Sequence, residues 1–439
     1  MAVKKPTRLT LRCYGVGFGD CFLMTFHYSG NTGDRHVLID FGSTQRPPNA
    51  KKNLMPLIAK DIASVVGSKL HVVVATHRHA DHVNGFATNA KKNGSGDIIA
   101  GLNPQLVIQP WTEKPDAPRD FEGTMGSLKG ANDALRMSLA RMSRVSQASA
   151  KEARFLRAGS GDTAASEISF VAADGVANLS AVKNLATMGK KTRAAYVQYG
   201  SKVAALKTLL PGVKVTVLGP PTITQKGDVL NQKPVNTEQY WHFVKFWSLR
   251  AANIATATTA AGLFPGAPSA RALPKMPIEV RWFVRRVRAL RKAELLGLVR
   301  KMDDALNNTS VILLFEAGKK KLLFPGDAQW ENWELALNKN AALLKDVDIY
   351  KVGHHGSLNA TPKTLWDGFA KKSETDGKPG RLVTVMSTRS DSKHGHVEND
   401  TEVPRRTLVT ALKTHSLHRS TQELEGDGGL VLTLQYDLT

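Results

Sequence analysis

Cysteine is nearly missing from this chain: Cys13 and Cys21 are the only two in 439 residues. Two thiols on one N-terminal stretch support neither a disulfide framework nor a thiolate zinc cluster, and they fit a reducing, cytoplasmic setting. Long apolar runs are missing as well. Nothing approaches the roughly 20 consecutive apolar residues that a bilayer crossing needs. The first 20 residues carry basic side chains but no apolar run ahead of a small-residue cleavage site, so neither membrane spanning nor ordinary secretion is expected. Acidic side chains are scarce beside basic ones, 38 against 60, for a formal net charge of +22. That imbalance favours an anionic partner, nucleic acid or acidic lipid, over a surface that is basic merely for solubility. No repeat or low-complexity tract is evident.

The length suffices for one large domain with insertions. Residues 8–42 alternate as strands, with a Gly/Asn/Asp turn near 29–34 and an end at Asp40 followed by Gly42. The Gly15-x-Gly17-x-Gly19 run lacks dinucleotide-loop spacing and precedes a strand rather than a helix, so it reads as a turn between strands. Residues 51–66 read as a helix, and 71–76 and 106–110 as buried strands. Strands recur over 213–218, 310–316, 321–324, 348–352, 382–387 and 429–436. Strand and helix in this order argue for an α/β (α+β) protein of stacked sheets flanked by helices. Residues 111–211 read as a mostly helical insertion, with helices over 131–156 and 193–209, and 222–305 as a second, basic helical insertion. The expected catalytic domain is then 1–110 with 306–439.

The densest chemistry lies at His77-Arg78-His79-Ala80-Asp81-His82, three imidazoles and a carboxylate directly after a buried strand. Alternating side chains in a turn converge, so His77 and His79 can chelate one cation while Asp81 and His82 reach a second. Two later strand ends supply further donors. Asp327, in Pro325-Gly326-Asp327, can bridge two cations with its two oxygens. His354 and His355 lie in Lys351-Val352-Gly353-His354-His355-Gly356-Ser357, where glycines let the backbone approach closely. A histidine run at a solvated surface is the bland alternative, and the buried strand before it argues against that.

Taken in order, Ile39-Asp40-x-Gly42, His77-x-His79-x-Asp81-His82, Gly326-Asp327 and His355-Gly356 resemble the signature of metallo-β-lactamase-fold hydrolases. Val16-Gly17-x-Gly19-Asp20, Asn307-Asn308-Thr309-Ser310-Val311 and the 351–357 run are similar to the hydrolase domain of ComEC-type bacterial DNA-uptake proteins. The resemblance covers roughly 8–110 and 306–437. It implies a four-layer αββα sandwich and a site for two divalent metal ions, zinc or manganese. The ligands would be His77, His79, Asp81, His82, Asp327 and His355, with Asp40 orienting a ligand histidine. Many relatives carry another histidine before Gly-Asp; this chain has none between His242 and His354 and reads Asn307-Asn308 there. An asparagine oxygen or a water would complete that shell, which weakly favours a harder ion such as manganese. Oxygen-reducing relatives carry a glutamate where His79 stands, so a di-iron redox centre is disfavoured.

The implied reaction is hydrolysis, in which a water shared by two cations loses its proton near neutral pH. Asp81 and Asp327 would position it. Whichever of His354 and His355 is not a ligand would stabilise transferring charge, and His394 or His396 would protonate a leaving group. Arg281, Arg285, Arg288 and Lys292 fall at helical spacing ahead of Asn307, a stripe suited to guiding a phosphate backbone, although a solvated face has the same pattern. Tyr240-Trp241-His242-Phe243 and Phe246-Trp247 suit a helical core better than base stacking. Three functions are weighed: a nuclease or phosphodiesterase acting on nucleic acid, a small-molecule ester or lactone hydrolase, and a non-catalytic DNA-binding protein.

Overall fold

A computed structural model describes residues 4–114, 179–189, 193–222, 225, 306–357, 361–390, 402–426 and 428–439. These belong to one compact unit formed by Met1–Asp116, Ala177–Lys226 and Leu306–Thr439. The expected helix over 131–156, the basic stripe Arg281, Arg285, Arg288 and Lys292, the aromatics of 240–247, and His394 and His396 all lie outside the described residues.

The fold is mixed α/β, with two multi-stranded sheets. The first half of the chain gives β1 (Arg8–Tyr14), β2 (Cys21–His27), β3 (Arg35–Phe41), α1 (Leu54–Val66), β4 (Val72–Val74), α2 (Ala80–Val83), α3 (Ser95–Gly101) and β5 (Leu106–Pro110). Next come α4 (Leu179–Met188), β6 (Ala194–Val197), α5 (Leu206–Leu209) and β7 (Val213–Gly219). The last third supplies β8 (Ile312–Ala317), β9 (Lys320–Phe324), α6 (Trp330–Lys345), β10 (Ile349–Lys351), α7 (Lys363–Gly368), β11 (Val383–Met386), α8 (Arg406–His415), β12 (Leu417–Ser420) and β13 (Val431–Asp437).

One sheet runs β13-β1-β2-β3-β4-β5-β6 and the other β12-β11-β10-β9-β8-β7. From β3 to β6 the strands are parallel, as they are from β9 to β12; the remaining pairs are antiparallel.

The period-two alternation of the strands sorts their apolar side chains into separate clusters. Leu9, Leu11, Phe22, Met24, Val37, Ile39, Val72 and Val74 of the first sheet share one cluster with Leu313, Phe315, Leu322, Phe324, Ile349 and Val385 of the second. The intervening Leu23, Leu38, Val73 and Val107 pack with Ile58 and Ile62 of α1, Ile99 of α3 and Leu185 of α4. Ile312, Leu314, Leu323 and Tyr350 pack with Trp333 of α6, Leu365 of α7 and Leu412 of α8.

Two elements differ from the sequence expectation. The helix expected over 193–209 is instead strand β6 followed by the single turn α5. Ala194-Ala195-Tyr196-Val197 pairs in parallel with Val107 to Pro110, and edge pairing on a buried sheet overrides the helical propensity of alanine. The strand-bearing unit thus reaches further into 111–211 than the sequence reading places it. Strand β12, Leu-His-Arg-Ser, carries no apolar alternation and is defined by its pairing with β11. Among the described residues, no helix is long and apolar enough to cross a membrane.

Candidate metal centre

Loops at the carboxyl ends of parallel strands are where open α/β sheets gather ligand groups. Here β3, β4, β9, β10 and β11 deliver Asp40, the 77–82 segment, Asp327, His354-His355 and Ser387 respectively. The closeness of these loops depends on Gly42. A Cβ there would lie 2.3 Å from the Asp81 carbonyl carbon and 2.4 Å from the His82 nitrogen, so no larger residue fits without displacing the Asp81-His82 backbone.

His77, His79, Asp81, His82, Asp327 and His355 are all buried, none more than 1% exposed. Their donor atoms form two groups, Asp81 with His82, Asp327 and His355, and Asp81 with His77 and His79, within which every atom is inside 4.8 Å of the others. Asp81 belongs to both. His355 Nε2 is 2.7 Å from Asp81 Oδ2, and His82 Nε2 is 2.9 Å from Asp327 Oδ2. The His77 ring centroid stands 4.6 Å from that of His79 and 4.2 Å from that of His82.

The outward nitrogens are fixed by the protein. Asp40 accepts from Thr76 N–H at 2.7 Å, Thr76 Oγ1 at 2.8 Å and His82 Nδ1 at 2.8 Å. His355 Nδ1 donates to the Ser387 carbonyl at 2.9 Å. Both rings therefore direct Nε2 into the cluster. His354 does not: its Nδ1 meets Ser357 Oγ at 2.8 Å, and its N–H donates to Asp327 Oδ1 at 2.9 Å. Neither His354 (φ 42°) nor His355 (φ 52°) is glycine, yet both occupy the left-handed region, a strain of the kind that a constrained site sustains.

The charges are organised as a cation's surroundings would be. Burial pushes His77 well below the usual histidine range and His79 down to about 4, so both imidazoles are neutral. Burial also opposes charge on His82, but the carboxylates of Asp327, Asp81 and Asp40 outweigh it and hold the ring protonated. His355 is likewise raised despite burial, chiefly by its hydrogen bond to Asp81. Burial alone would raise Asp327 and Asp81; the neighbouring cations, His82 foremost, hold both below the carboxylate range. His77 Nε2 and Asp81 Oδ1 are buried with no hydrogen-bond partner among the described residues. Leaving such atoms unsatisfied costs on the order of 1–3 kcal/mol each, and imidazole with carboxylate is a donor set that suits divalent transition metals. The residues present therefore fit a metal ion.

Three features escaped the sequence reading. Asp327 does not offer both oxygens equally: Oδ1 is taken by His354 N–H and lies 3.4 Å from Lys351 Nζ, leaving Oδ2 toward His82. Lys351, 2% exposed, is a buried ammonium in contact with Asp20. Arg78, between two of the histidines, forms a two-pronged ion pair with Glu113 at 2.7 and 2.8 Å, bracing the loop against the chain after β5. Of the two asparagines, Asn307 is fully buried, and Asn308 Nδ2 donates to Glu331 at 2.8 Å. The segment they begin runs along the site, since Val311 N–H donates to the Thr76 carbonyl at 2.9 Å and Ser310 Oγ accepts from Asp327 N–H at 3.1 Å.

No protein-family model and no curated protein matches this chain.

Proposed function

We propose that this protein is a metal-dependent hydrolase of the metallo-β-lactamase type, acting as a phosphodiesterase or nuclease on nucleic acid. The observation that carries the reading is Asp81, a buried carboxylate common to two donor groups, one of which draws on both sheets. Two further features support it. Among the described residues, one apolar cluster joins the two sheets and two others pack helices against them, which supports the αββα reading. The chain's excess of positive charge suits a polyanionic substrate.

In this reading His77, His79 and Asp81 hold one divalent cation, zinc or manganese, and Asp81, His82, Asp327 and His355 hold a second. Bound divalent cations supply Lewis acidity and a water acidified toward neutral pH. The chain's own contribution is preorganisation. Asp40 fixes the orientation of His82, Ser387 that of His355, and the Gly42 contact locks the backbone under Asp81. His354, half-buried with Nδ1 held by Ser357, leaves Nε2 to contact a substrate oxyanion.

The test is incubation of the purified protein with labelled single- and double-stranded DNA and RNA in manganese, magnesium or zinc. Metal-dependent cleavage that is lost in Asp81→Ala and falls steeply with salt is expected. Absence of cleavage with every metal, alongside turnover of a simple ester or lactone, would replace nucleic acid with a small molecule as the substrate.

A further inference from the structure

The Asp20 and Lys351 pair belongs to none of the roles above, although it lies beneath the proposed centre. Lys351 stands on β10 with its ammonium 3.4 Å from Asp327 Oδ1, 3.2 Å from the Gly326 carbonyl and against Asp20 Oδ2. Asp20 Oδ2 is 3.7 Å from His82 Nδ1 and Asp20 Oδ1 is 3.8 Å from His355 Nδ1, beyond hydrogen-bond reach. Its nearest ionic partner is Lys351, with the two rings at longer ion-pair range. Its main chain is also engaged: Asp20 N–H donates to the Asp81 carbonyl at 3.0 Å, and Gly42 N–H donates to the Asp20 carbonyl at 3.0 Å.

A buried ion pair is a poor source of stability, because desolvation offsets its attraction and apolar replacements are often neutral. An account based on stability alone thus leaves unexplained why the ammonium is aimed at one oxygen of Asp327. We infer that Lys351, held in place by Asp20, is a positioning residue that occupies Asp327 Oδ1 and reserves Oδ2 for the cation shared with Asp81, His82 and His355. The inference rests on the metal-centre reading above. It makes Asp327 a donor through one oxygen, held by Lys351 and His354 N–H as an outer contact holds a ligand carboxylate.

Cobalt(II) is a suitable probe, since its visible absorption reports ligand geometry, and its binding to the full-length protein can be followed alongside thermal unfolding in chelator. The double variant Asp20→Asn with Lys351→Met removes both charges together. It is expected to melt close to wild type in chelator, to bind cobalt about 10- to 100-fold more weakly, and to show an altered absorption band. Asp20→Asn alone, which keeps the size and a hydrogen-bond acceptor, serves if the double variant does not fold. Lys351 then leans further onto Asp327, and cobalt affinity falls several-fold. Unchanged affinity and spectrum in a folded variant would overturn the positioning role alone. Failure of the wild-type protein to take up cobalt would overturn the metal reading, and the inference with it.

Discussion

Strands β3 and β4 have histidines at their amino ends, and β4 leads into three more beyond its carboxyl end; the two sets are equally buried but differently surrounded. At the amino ends, His36 and His71 are 6% and 4% exposed. His71 Nδ1 accepts the His36 N–H at 3.1 Å, and His36 Nδ1 meets Thr25 Oγ1 at 3.1 Å. Burial pushes both down to about 4, so they are neutral packing groups. At the carboxyl ends, equally buried rings are surrounded by Asp40, Asp81 and Asp327, and His82 is held protonated against the same burial. Burial of a histidine is therefore uninformative by itself; the carboxylates around it distinguish a packed ring from a candidate ligand.

The largest expected effect comes from the shared donor. Asp81→Ala should abolish tight metal uptake and turnover, with affinity down more than about 100-fold, whereas His71→Asn at the other end should leave metal content unchanged; elemental analysis after dialysis reads both. Asp40→Asn should weaken metal binding about 10- to 100-fold in calorimetric titration, because Asp40 reaches the proposed ligands only through the outward nitrogen of His82.

The amino-end pair has its own pH signature. The folded pKa values of His36 and His71 lie below the ordinary value near 6.5, so the unfolded chain binds more protons between about 4 and 6.5. Their contribution is therefore intact above pH about 6.5 and declines as pH falls toward about 4, by up to about 3 kcal/mol each. Denaturant titrations across that range should show this loss, and His71→Asn, which keeps an acceptor for the His36 N–H, should make it shallower. The smallest effect on stability is expected from His354→Gly. Relief of the positive φ should leave the melting temperature unchanged or raise stability by up to about 1 kcal/mol, while turnover drops if the ring contacts substrate.

The contrast between the ends also shows what was legible in the chain. Alternation at Leu9, Leu11 and Cys13 exposes a strand because side-chain direction has period two, and the buried β-branched run at 72–74 does so because a parallel strand covered on both faces is apolar throughout. The 77–82 cluster stands out because three histidines and an aspartate share one turn, and the later donors each follow an apolar strand. Pairings between distant strands leave no such local trace. Lys351 with Asp20 and Arg78 with Glu113 are set by sheet order, and nothing near either residue in sequence marks its partner. The division of labour between His354 and His355 is likewise a matter of backbone direction at two left-handed residues, which composition cannot register.

Anomalous diffraction from crystals grown with manganese or zinc tests the central claim most directly. Two peaks should appear, one among Asp81, His82, Asp327 and His355 and one beside His77, His79 and Asp81. A crystal with full access to metal and no peak at either position, while His82 remains hydrogen-bonded to Asp327, would contradict the account.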